Sequence, residues 1–180
     1  MNQHLVITAV GNDSPGIVNQ LTQLVSDCGC NIESSRVALC GSEFTLVMFL
    51  SGNHRARTEI EMRLPIAAQE MELMTVIKRT QQRASVDFPE STRFSFIVKD
   101  SPGIIGRFTQ FIYDYPMDMV SFYSHLTMDD GQQHLHAHFI AKLDLEANHE
   151  SIELGFAKLC LELKVISQDI EFMSSVPSII

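Results

Sequence analysis

The stretch Asp13-Ser14-Pro15-Gly16-Ile17-Val18 returns 87 residues later, from 13 to 100, as Asp100-Ser101-Pro102-Gly103-Ile104-Ile105. Its chemistry is that of holding an anion, not of making or breaking bonds. Each copy follows an apolar run and opens an amphipathic helix. Asp13 or Ser14 is expected to cap that helix by accepting from its free N–H groups. Pro15 suits the first turn, where a missing N–H costs nothing. Gly16 has no side chain, so a ligand can approach the backbone there. The helix end carries unpaired N–H groups and roughly half a positive charge, which attract a carboxylate. A capped helix start with no ligand would use the same residues.

Other reactive side chains make weaker patterns. His134, His136 and His138 alternate with Leu135, Ala137 and Phe139, so three imidazoles share one strand face. They suit zinc in type, but neighbouring i, i+2 ligands splay apart, and a solvated polar face accounts for them as well. Cys28 and Cys30 could form a redox pair, although C-x-C is a poor disulfide geometry and packing at a helix end explains it. No serine sits in a G-x-S-x-G elbow, and Gly11-Asn12-Asp13 is not a phosphate loop. The expectation is therefore no catalytic residue, no metal and no cofactor; the chain is not read as an enzyme.

The 180 residues carry 13 Lys and Arg against 22 Asp and Glu, a net charge of −9, with 45% hydrophobic residues. Such a chain can build real cores. It lacks the basic face that holding DNA phosphates requires, so direct nucleic-acid binding is not expected. No signal peptide is read at the N-terminus, and no apolar run approaches the roughly 20 residues of a membrane helix. Four cysteines without disulfide spacing fit a reducing, cytoplasmic setting.

The elements that position the two loops repeat in the same order. Strands are expected over 5–11, 31–39, 43–50 and 70–78, with helices over 15–27 and 58–64, the latter ending near Pro65. The second half gives strands over 94–99, 118–128, 134–143 and 165–173 and helices over 102–115 and 151–164. In the first helix Ile17, Val18, Leu21, Leu24, Val25 and Cys28 form the buried stripe. Shifting each by 87 gives Ile104, Ile105, Phe108, Phe111, Ile112 and Tyr115. This is an internal duplication. The fold class is α+β: two tandem ferredoxin-like β-α-β-β-α-β units, each a four-stranded antiparallel sheet with two helices on one face. The domains are 1–80 and 92–174, joined by a linker over 81–91 and followed by a tail over 175–180.

The turn Asp-x-Pro-Gly-[Ile/Val]-[Ile/Val], followed by Asn31-Ile32 at the next strand, resembles the ACT domain. That family comprises regulatory modules of amino-acid metabolism. Asp118-Met119 stands at the equivalent place in the second half. The resemblance covers nearly the whole chain and leaves no room for a catalytic domain. It implies a small amino acid, held where one unit's first loop meets a partner unit's second strand, and names Asn12, Asp13, Gly16 and Asn31 as ligand-binding residues. In the second half Lys99 replaces Asn12 and Asp118 replaces Asn31; an acceptor-only carboxylate repels a ligand carboxylate. Two tandem units, together with Leu5-Val6-Ile7-Thr8-Ala9, Ser26-Asp27-Cys28-Gly29-Cys30-Asn31-Ile32-Glu33 and Val76-Ile77-Lys78-Arg79-Thr80, look like the glycine-sensing transcriptional repressors of that family. This implies action through a DNA-bound LysR-type activator, with a homo-oligomer as one possible assembly. The alternatives are a free-standing subunit conferring feedback on a metabolic enzyme, and a fragment of an ACT-containing folate deformylase.

Overall fold

The structure is a computed structural model that describes residues 3–82 and 90–174. It forms two compact units. The first contains β1 (Gln3–Asn12), α1 (Ile17–Asp27), β2 (Asn31–Cys40), β3 (Glu43–Gly52), α2 (His54–Glu70) and β4 (Leu73–Thr80). The second contains β5 (Ser91–Lys99), α3 (Ile104–Asp114), β6 (Met117–Asp129), β7 (Gln132–Leu143), α4 (His149–Glu162) and β8 (Ser167–Met173). Each unit has one antiparallel sheet, ordered β2-β3-β1-β4 and β6-β7-β5-β8. The duplicated order is therefore that of two ferredoxin-like units.

Alternation decides which sheet face is buried. Leu5, Ile7 and Ala9 of β1 and Phe44, Leu46, Met48 and Leu50 of β3 point beneath the helices and are buried. They meet Ile17, Leu21, Leu24 and Val25 of α1 and Ile60 and Leu64 of α2. The second core is built on the same plan from Phe94, Phe96, Phe108, Phe111, Phe139 and Phe156. Val18 departs from the expected stripe and is 39% exposed. It lies about 100° around the helix from Ile17, at the rim of the buried face.

Several expected boundaries move for identifiable reasons. Pro65 does not end the second helix. α2 runs through it to Glu70, because the i+4 stripe Ala56, Ile60, Leu64 and Ala68 stays buried on both sides of the proline. That burial outweighs a lost N–H bond and ring clash of about 3 kcal/mol. β4 consequently starts at Leu73, after Glu72 turns the chain with φ +55°. Ser91 and Thr92, both fully buried, belong to β5. The linker reading falls largely on 83–89 and the tail on 175–180, outside the described residues.

Candidate functional site

The two duplicated loops end in unusual helix starts. Gly16 and Gly103 occupy the N-cap positions with φ +85° and +91°, and neither helix receives a side-chain cap. The expected caps from Asp13 or Ser14 are thus absent: only the Ser14 carbonyl serves, accepting from the Ile17 N–H at 3.2 Å. Glycine is needed at 16 for its left-handed conformation. A Cβ there would meet nothing within 4 Å, so close approach by the unit's own atoms is not the reason. The chain does cap its other two helices. Asn53 Oδ1 accepts from the Ala56 N–H at 2.9 Å, and Asn148 Oδ1 accepts from the Ser151 N–H at 2.9 Å. Uncapped starts leave first-turn N–H groups free to face a ligand.

Asn12, Asp13 and Gly16 lie together at one end of the sheet. Asn12 sits opposite Glu43, and the Asp13 N–H donates to the Ser42 carbonyl at 3.4 Å. Asn31 lies at the other end. It pairs with Ser51, which pairs with His4, eight residues along β1 from Asn12 and hence about 26 Å away. One unit alone does not bring Asn31 to the Gly16 loop.

Around Asn31 the structure adds residues that sequence reasoning missed. The β2–β3 register shifts between Ile32 and Ser34, making Glu33 the bulged residue, and a bulge re-aims its side chain. The Glu33 carboxylate accepts from the Ser51 hydroxyl and from Asn31 Nδ2 at 3.2 Å. The Ser51 bond, then that of Asn31, holds the Glu33 carboxyl below its usual range. Ser51 is buried. The Asn31 amide thus sits beside an anionic carboxylate, and a carboxylate with an amide acceptor next to it suits an ammonium group. The signal was in the sequence only as the Asn31-Ile32-Glu33 run; the bulge depends on strand pairing.

The second unit differs at the matching place. Its register shifts between Met119 and Ser121, and Asp118 stands opposite Lys142. Val120 replaces the bulged glutamate.

The histidines take the helix-free face of the second sheet. His136 accepts from or donates to Thr127 Oγ1 at 2.9 Å, and His138 pairs likewise with Ser95 Oγ at 2.9 Å. Among the described residues no group of three or more His, Cys, Asp or Glu is placed to hold a metal. Burial pushes the thiols of Cys28 and Cys30 up, away from the reactive thiolate. No helix among the described residues is long and apolar enough to cross a membrane.

Comparison with known proteins bears on the family and the fold. The ACT-domain family model matches residues 3–78. The chain is 42% identical over 165 residues to the glycine cleavage system transcriptional repressor of Escherichia coli K12, covering 90% of this chain and 87% of that one. A crystal structure provisionally assigned to the same repressor superposes with TM-score 0.74 at 34% identity, covering 97% of this chain and 99% of that one. An uncharacterised protein from Galdieria sulphuraria shares the fold at TM-score 0.75 and 20% identity, covering 98% and 100%. The curated relatives that it matches bear the name of a repressor, not of an enzyme. The chain belongs to the family of glycine cleavage system transcriptional repressors, built from ACT domains.

Proposed function

We propose that this protein is a cytoplasmic repressor of the glycine cleavage system that senses glycine and acts through a DNA-bound LysR-type activator. The observation that carries the sensing role is the contrast between helix starts: α2 and α4 are capped by asparagine, whereas α1 and α3 keep their N-termini open. An open helix end takes the ligand's carboxylate, and the Asn31–Glu33 end takes its ammonium. Because these ends are about 26 Å apart in one unit, a second copy of the chain supplies the missing half. β2 is an edge strand, and antiparallel pairing of two β2 edges would bring the start of one beside the loop end of the other. The net charge of −9 supports regulation through another protein, since an acidic chain gains nothing from phosphate contacts.

The test combines calorimetric titration with capture from extract. Glycine binding, recovery of a LysR-type activator, and no mobility shift of promoter DNA by the purified chain are the expected outcomes. Capture of a metabolic enzyme instead would favour the feedback subunit.

A further inference from the structure

We propose that the first unit carries a second, separate binding site, for a polar amino acid larger than glycine, in the cleft between the start of α2 and the β1–β4 edge. The cleft measures about 520 Å³ and is lined by Gln3, His4, Arg57, Arg79, Thr80 and their neighbours Gln81 and Gln82. This lies within the range of small-molecule sites, roughly 300–1,000 Å³, and far exceeds what glycine fills.

Two lining residues carry buried polar atoms that have no hydrogen-bond partner among the described residues: Arg57 Nε and Gln3 Oε1. Buried polar atoms are nearly always paired, so two orphans on residues of one cleft mark a place where a partner is missing, and a ligand would meet them once the two side chains turn toward it. Their chemistry specifies it. The Arg57 Nε–H is a donor attached to a fixed cation and asks for a carboxylate oxygen; the Gln3 carbonyl is an acceptor and asks for an N–H. A molecule with both a carboxylate and an ammonium satisfies the pair. The charge balance agrees. Glu61 takes up Arg79 through two hydrogen bonds of 2.7 and 2.8 Å, which leaves one of the two guanidinium charges for a ligand carboxylate. The remaining wall includes Thr80, Gln81 and Gln82, whose polar ends can bond a polar side chain.

This site is distinct from the proposed glycine site. Asn31 shares this end of the sheet with Gln3 and His4 but lies on the β2 edge, with β3 and β1 between it and the β4 edge that the cleft borders. The test follows the arginine side-chain N–H resonances of the full chain by NMR during titration with L-serine, L-asparagine, L-glutamine, glycine and acetate. At least one of the three larger amino acids is expected to shift the Arg57 Nε–H signal saturably. Arg57→Gln, checked for retained fold by circular dichroism, should weaken that binding at least tenfold, and Gln3→Ala should also weaken it. Asn31→Ala should leave it unchanged, so loss of glycine sensing and loss of this site are scored apart. An Arg57 signal unmoved by all three larger amino acids, as in a cleft holding only water, overturns the proposal. So does binding indifferent to Arg57→Gln, or acetate binding as tightly as the amino acids.

Discussion

The two units share a backbone plan and differ in what they place on it. Their cores diverge first. Leu21 of α1 corresponds to Phe108 of α3, and both are fully buried. The first core is mainly aliphatic, whereas Phe108 lies against Phe96 at 3.5 Å between ring centroids and near Phe139 and Phe156 at 6.2 and 6.0 Å. The helix-free sheet faces diverge too: Val47 and Val76 are exposed on the first, where the second carries His136 and His138. The bulge in each second strand is kept, yet one carries Glu33 and the other Val120. Duplication thus preserved the turns, bulges and uncapped helices, which are backbone features, and released the side chains around them.

The largest effect that would sharpen this contrast lies in the cores. Phe108→Ala should cost about 3–5 kcal/mol, the usual range for emptying a buried aromatic site. The exchange Leu21→Phe should also destabilise, by about 1–3 kcal/mol, since extra volume in a filled aliphatic core forces strain. Denaturant midpoints read both. If Leu21→Phe cost nothing, the two cores would be interchangeable and the divergence merely drift.

The sites come next in size. Asn31→Ala should keep the fold and weaken glycine binding by about 1–3 kcal/mol, or ~5- to 150-fold. Asp118→Ala should change it little, because an acid opposite Lys142 lacks the Asn31–Glu33–Ser51 arrangement. Calorimetry on both variants decides; the reverse order would move the sensor to the second unit.

A smaller, pH-dependent effect separates the units further. Glu33 is held below its unfolded pKa, first by Ser51 and then by Asn31. Its contribution to stability is therefore present above the unfolded value and lost as pH falls through the folded one. Ser51→Ala should raise the Glu33 pKa and move that loss to higher pH, as read by carboxyl NMR titration. The second unit has Val120 at this bulge and no corresponding step. An unmoved Glu33 titration would mean that the Ser51 bond is not what holds the carboxylate.

Much of this was legible in the chain because it was written locally. The repeated Asp-Ser-Pro-Gly turn, the i+4 stripes and the alternation in Phe44, Leu46, Met48 and Leu50 state the fold through nearest neighbours. What escaped depends on distant partners. Glu33 became a candidate site residue only through a register shift against β3, and Arg57 and Gln3 line one cleft only when α2 docks beside β1. Pro65 misled because its local penalty is real but smaller than the burial of Leu64 and Ala68 around it. The family resemblance sets Asn31 against the first loop of a partner unit, and strand pairing puts Asn31 and Gly16 of one unit at opposite ends of its sheet.

The smallest effect tests the feature the units share. Asn53 caps α2 through a 2.9 Å bond, so Asn53→Ala should cost about 1 kcal/mol. Asp13 and Ser14 make no side-chain cap to α1, so Asp13→Ala and Ser14→Ala should each stay within about 0.5 kcal/mol of the parent. The same asymmetry should hold for Asn148→Ala against Ser101→Ala in the second unit. Thermal melts of these five variants read the asymmetry. A cap-sized loss from Ser14→Ala would mean that the side chain closes the helix end in solution. The open N–H groups that distinguish α1 from α2 would then be taken, and a ligand carboxylate would have to displace Ser14 to enter.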